Sequence, residues 1–95
     1  MIAWKIRITP EVRKMLAKFH PENKKLIRNA LRELTNAPYS GTDLHGELSG
    51  FKSFKPKRFR IIYKISEESR SIAIYYIGHR RNVYEQFRKL LKQGK

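Results

Sequence analysis

Cysteine is absent from this 95-residue chain and acid is scarce, with eight Asp and Glu against 22 Lys and Arg. Without cysteine there is neither a disulfide framework nor a thiolate metal site, which suits an intracellular protein. No apolar run approaches the roughly 18 residues that a membrane-spanning helix needs. The opening MIAWKIRITP also has no hydrophobic signal core, so a cytoplasmic protein without a membrane partner is expected. There is no P-loop glycine pattern, no Ser-His-Asp arrangement, no internal repeat and no low-complexity tract. His20, His45 and His79 are widely scattered, and no spacing of acids resembles a two-metal nuclease. His20 reads as a helix-junction residue and His45 as a loop residue. No metal and no cofactor are expected.

What the chain has instead is positive charge. Its length corresponds to one small domain, residues 1–95, with a thin core, and 40% hydrophobic residues put it in the globular range. A formal charge of +14 destabilises so small a fold by self-repulsion. Such a surface usually meets a polyanion: nucleic acid first, an acidic protein second, an anionic membrane third.

The hydrophobic pattern gives the elements. Ile2, Trp4, Ile6 and Ile8 alternate with Ala3, Lys5 and Arg7, the two-residue period of a half-buried strand. Thr9-Pro10-Glu11 supplies a hydroxyl cap, a first-turn proline and an acid, which start a helix striped by Val12, Met15, Leu16 and Phe19. A second helix begins at His20-Pro21-Glu22 and carries Leu26, Ile27, Ala30, Leu31 and Leu34 on one face. The stretch TNAPYSGTDLHGELSG is rich in turn formers and reads as a long loop. Three strands are expected over Gly50–Phe54, Arg58–Ser66 and Ser71–Ile77, joined by turns at Lys55-Pro56-Lys57 and Glu67-Glu68-Ser69, and a last helix over Val83–Leu91. The order β-α-α-β-β-β-α makes an α+β fold, a helical hairpin packed on a mostly antiparallel four-stranded sheet.

Two stretches carry candidate chemistry. GFKSFKPKRFRIIYKI holds six cations and no acid. Phe59, Ile61, Tyr63 and Ile65 share one strand face, the one that meets the helices, and Arg60, Ile62 and Lys64 share the other. Parity across the hairpin places Lys52 beside Arg60. A solvated, charged sheet edge explains any single lysine here, whereas the whole group favours anion binding. The second stretch is Ile77-Gly78-His79-Arg80-Arg81-Asn82-Val83-Tyr84-Glu85, where Gly78 permits a sharp exit from the strand and His79, Arg80 and Tyr84 project near a helix start. Cleavage of an RNA phosphodiester needs a base near the 2′-hydroxyl, cations around the phosphorane and a donor for the leaving oxygen, and Lys, Arg and one His can supply these without a metal.

The element order, the segment LHGELSGFKSFKPKRFRIIYKI and the ending IYYIGHRRNVYEQFRKLL together resemble the RelE/ParE superfamily of toxins from toxin–antitoxin pairs, and the RelE-type mRNA interferases most. That resemblance implies a metal-independent endoribonuclease that cleaves mRNA in the ribosomal decoding site. By the same resemblance Lys52 is the general base, Arg60 the phosphate stabiliser, Arg80 the leaving-group donor or stabiliser and Tyr84 the stacking or orienting residue. His79 is the reserve candidate for proton transfer, its ordinary pKa of about 6.5 suiting neutral pH. Lys55, Lys57, Arg58 and Arg81 are the expected RNA contacts. The pattern's second lysine is here Phe54. The resemblance also implies an acidic antitoxin, laying a helix against Ile62, Tyr75 or Leu91, with operator DNA bound only through that complex. Two other functions compete: a ParE-like DNA gyrase inhibitor and a non-catalytic nucleic-acid-binding module.

Overall fold

A computed structural model describes residues 4–93, so the expected strand position of Ile2 lies outside the described residues. The first strand, β1, spans Lys5–Ile8. Thr9 caps the helix α1 (Pro10–Lys18), its hydroxyl accepting from the Val12 amide at 3.2 Å. A second proline start opens α2 (Pro21–Asn36). The long loop is less irregular than its composition suggests. It holds two short 3-10 turns, Pro38–Ser40 and Gly46–Leu48, and a two-residue strand, β2 (Thr42–Asp43). Then follow β3 (Lys52–Phe54), β4 (Phe59–Ser66), β5 (Ser71–His79) and α3 (Val83–Gln93).

The sheet has five strands in the order β1-β5-β4-β3-β2, one more than expected because β2 joins its edge. Only the β1–β5 pair is parallel; the other pairs are antiparallel. The α1–α2 hairpin covers one face. There Val12, Ile27, Ala30 and Leu34 pack on Phe59, Ile61, Tyr63, Ile72, Ile74 and Ile77. Ile27, Ile61, Ile72 and Ile74 are fully buried, and burial of such a side chain contributes about 1.5–3 kcal/mol.

On the opposite face Val83 and Phe87 of α3 pack on Ile62, Leu48 and Phe51. A bulge makes room for this layer. Ile62 pairs with Tyr76 and Tyr63 with Ile74, so Tyr75 is an extra residue in β5. Two successive tyrosines, Tyr75 and Tyr76, thereby join the α3-side cluster.

The Tyr63 hydroxyl ties the long loop to the sheet. It donates to the Pro38 carbonyl (2.8 Å) and accepts from the Gly41 amide (3.1 Å). Gly41 fits because it has no side chain: a Cβ there would run into the Tyr63 hydroxyl and lie 2.9 Å from the Ser53 carbonyl.

Candidate active site

Arg60 lies on the α3 face of the sheet, directly across from Gly78. Its guanidinium Nη1 donates to the carbonyls of Lys57 (2.9 Å) and Phe59 (2.7 Å), which anchors the half-buried side chain at the end of β4 and leaves the other guanidinium donors for a ligand. Gly78 matters through its missing Cβ. One built there would sit 3.0 Å from Val83 Cγ2 and 3.3 Å from the Tyr76 ring, so glycine lets the first turn of α3 settle onto the strand. That turn brings Tyr84 in, and its hydroxyl meets Ser53 Oγ at 2.9 Å. Arg80 follows Gly78 by two residues. Its amide donates to the Arg58 carbonyl at 2.8 Å, which fixes the exit from β5, and its side chain is exposed, as is that of Arg81. Arg60 and Gly78 thus share one row of the α3 face, Arg80 follows at the exit from β5, and Tyr84 is held on Ser53, which pairs with Ile62, two residues further along β4.

Lys52 does not join them. The expected three-residue turn at Lys55-Pro56-Lys57 would set Lys52 opposite Arg60. The observed turn is shorter: Phe59 N–H donates to the Pro56 carbonyl at 3.0 Å around Lys57 and Arg58, with Lys57 in the left-handed region at φ 55°. The partner of Lys52 thereby moves three residues, from Arg60 to Tyr63, and an odd shift of register turns the side chains to the other face. Lys52 pairs with Tyr63 and Ser53 with Ile62, so Lys52 points to the α1–α2 face and Ser53 to the face of Arg60. There the Lys52 ammonium bonds Asp43 at 2.7 Å and lies 5.8 Å from the centre of the Tyr39 ring. Lys52 holds the Asp43 carboxyl below the usual carboxylate range. Beside it the Tyr39 hydroxyl donates to Glu67, which raises the phenol's pKa. This polar cluster lines a cavity of about 550 Å³ that also includes His45 and Ser49.

His79 likewise falls on the α1–α2 side, paired with Phe59, their rings edge to face at 6.3 Å. Its Nδ1 accepts from the Arg81 amide at 3.3 Å, which leaves the proton of the neutral ring on Nε2. Of the expected RNA contacts, Lys55, Lys57, Arg58 and Arg81 are exposed. Arg58 leans away towards α2, donating to Asn23 at 2.8 Å and covering the Phe59 ring at 5.2 Å. The expected docking residue Ile62 is fully buried beneath α3; Leu91 is 37% exposed and Tyr75 half-buried. Two residues escaped the sequence reading: Ser53, which is 1% exposed and braces Tyr84, and Asp43, which captures Lys52. The signal for both was the turn length.

A five-stranded sheet between a helical hairpin and a C-terminal helix, on a chain that matches the ParE-like toxin family, defines a toxin of the RelE/ParE superfamily. The model of the ParE-like toxin of type II bacterial toxin–antitoxin systems matches residues 6–88, and the chain belongs to that family. A Methanocaldococcus jannaschii protein bearing the name RelE4 is 27% identical over 93 residues, covering 94% of this chain and 98% of its own. A chain of the Mycobacterium tuberculosis RelBE2 toxin–antitoxin complex superposes with a TM-score of 0.75 at 27% identity, over 83% of this chain and all of that one. Escherichia coli RelE, in a mutant form in the free state, shares the fold with a TM-score of 0.73 at 15% identity, over 94% and 98% of the two chains.

Proposed function

We propose that this toxin is a ribosome-dependent endoribonuclease that cleaves mRNA in the decoding site and so stops translation. The observation that supports the reading is that Arg60, Gly78 and the Tyr84–Ser53 contact lie on one face of the sheet, with Arg80 at the exit from β5. Arg60 stabilises the charge that develops on the phosphorane. Arg80 donates to the leaving oxygen or shares that charge, and Tyr84, braced by Ser53, stacks on or orients a base. Lys55, Lys57 and Arg81 track flanking phosphates.

Lys52 is held by Asp43 on the far face and His79 lies beside Phe59 there, so neither is assigned as base. The protein's part is charge stabilisation and orientation. The ribosome aligns the 2′-hydroxyl for in-line attack, and its proton passes to water. The same reading locates the toxin in the cytoplasm. Its partner is an acidic antitoxin that neutralises the basic surface until released and carries operator DNA binding for the complex.

Two observations favour a second reading, a ParE-like gyrase inhibitor without chemistry of its own: the match to the ParE-like toxin family and the diversion of Lys52 from the arginines. Primer extension on mRNA from a translating extract separates the two. Codon-spaced cuts that vanish with Arg60→Ala or Arg80→Ala, both proteins remaining folded, support the nuclease. Accumulated gyrase–DNA cleavage complexes without mRNA cuts support the inhibitor.

A further inference from the structure

Away from α3, the same sheet face carries charge of one sign. Arg7 on β1, Ala73 on β5 and Lys64 on β4 form one row across three strands, and Lys5, Ser71 and Ser66 form the next. Strands about 4.8 Å apart put the roots of Arg7 and Lys64 about 10 Å from each other with only the Ala73 methyl between. Lys5, Arg7 and Lys64 are exposed. None of them belongs to the ion pairs of the described residues, which join Lys52 to Asp43, Arg88 to Glu47 and Lys89 to Glu85. Helix α3 packs on Ile62, Leu48 and Phe51 and, through Phe87 and Gln86, on Tyr76 of β5, three residues along from Ala73, while Lys64 and Arg7 remain exposed. Lys64 rests its ammonium 4.5 Å from the centre of the Phe51 ring, which favours one position for the charge.

Protection of a sheet edge explains cations on β1. It does not explain Lys64, because β4 is an inner strand between β5 and β3. Arg60 stands on the same face four residues away along β4, about 13 Å at strand rise. The floor of the row, Ala73 with Ser66 and Ser71, offers a protein partner little apolar area to bury, whereas unpaired cations at a spacing set by the strands suit phosphates.

We propose that Arg7 and Lys64, with Lys5, form a second phosphate-binding strip for the single-stranded RNA that Arg60 and Arg80 grip at the cleavage point. The inference rests on the nuclease reading and adds the course of the strand: from the start of β4, along the flank of α3 over β5, to β1.

The test is fluorescence anisotropy with a labelled 2′-O-methyl RNA oligonucleotide between about 50 and 200 mM salt, the methyl groups blocking cleavage. Each phosphate contact on a single strand contributes about 0.7 to the slope of log affinity on log salt. The double substitution Arg7→Ala, Lys64→Ala is expected to reduce that slope by about 1.4, so that the unaltered protein loses about sevenfold more affinity than the variant over this range. The charge-conserving pair Arg7→Lys, Lys64→Arg restores the slope, and Lys14→Ala with Lys18→Ala on exposed positions of α1 leaves it unchanged. The proposal is overturned by an unaltered slope in the alanine pair, by an equal drop in the α1 control, or by loss of poly-glutamate binding while RNA binding persists, which would assign the strip to an acidic polypeptide. The oligonucleotide cannot be cut and the assay has no ribosomes. Absence of cuts in a translating extract therefore counts against the nuclease reading and leaves the slope result standing.

Discussion

At the residue scale, the chemistry open to the site depends on which side chains share a face with Arg60. Lys52 is the residue that composition and resemblance bring forward, and its ammonium is instead bound to Asp43 on the other side of the sheet. The substitution Lys52→Ala is therefore expected to leave mRNA cutting within about twofold of the unaltered protein and to cost less than about 1 kcal/mol in urea unfolding, as for a surface pair. Loss of cutting by a folded Lys52→Ala protein would restore the lysine as base. Ser53 carries the opposite expectation. Ser53→Ala removes the hydroxyl that meets Tyr84 and should reduce cutting as Tyr84→Phe does, with the double variant losing little more than either single one. Additive losses would show that the two hydroxyls act separately.

At the element scale most of the fold was legible. Alternation in β1 and β4 and the three- and four-residue spacing in α2 and α3 follow from burial of one face, so the core residues Ile61, Tyr63 and Phe87 could be placed from their neighbours alone. What escaped depends on backbone choices that the side chains do not announce. The tight β3–β4 turn needs Lys57 at positive φ, a conformation usually marked by glycine or asparagine, and KPKRF contains neither. The extra residue at Tyr75 is equally silent. The backbone that frames the candidate site was therefore legible at the Gly78 strand exit and the start of α3, whereas the hairpin register that places Lys52 was not.

The long loop yields a test of its own. Tyr63→Phe removes the donor to Pro38 and the acceptor from Gly41, at an expected cost of about 1–3 kcal/mol in urea unfolding. Burial raises the Tyr63 pKa above its ordinary 10.0. The unfolded chain therefore releases this proton at lower pH than the folded one. Stability from this source is complete below about pH 10 and declines as pH rises through the folded-state pKa. Tyr63→Phe should flatten that alkaline decline; an unchanged decline would remove Tyr63 as its cause.

At the scale of the whole molecule cations cover α1 and α2 as well as the sheet, but the charges on the sheet divide by face. One face of the sheet presents Arg60, Lys64, Arg7 and Lys5 without an acidic partner, while Asp43 and Glu67 sit with Lys52 and Tyr39 in the cluster on the other side. On the proposed reading, that division gives an anionic strand one face of the sheet to follow, with scission at the strand-end arginines. The most direct measurement is the mRNA cleavage map in a translating extract with the unaltered toxin and with Arg60→Ala, the variant's fold checked by circular dichroism. The expected result is codon-spaced cleavage that falls about 10²–10³-fold in the variant, as for loss of a preorganised charge-stabilising donor. Equal cleavage by the two proteins, or none by either, would contradict the account.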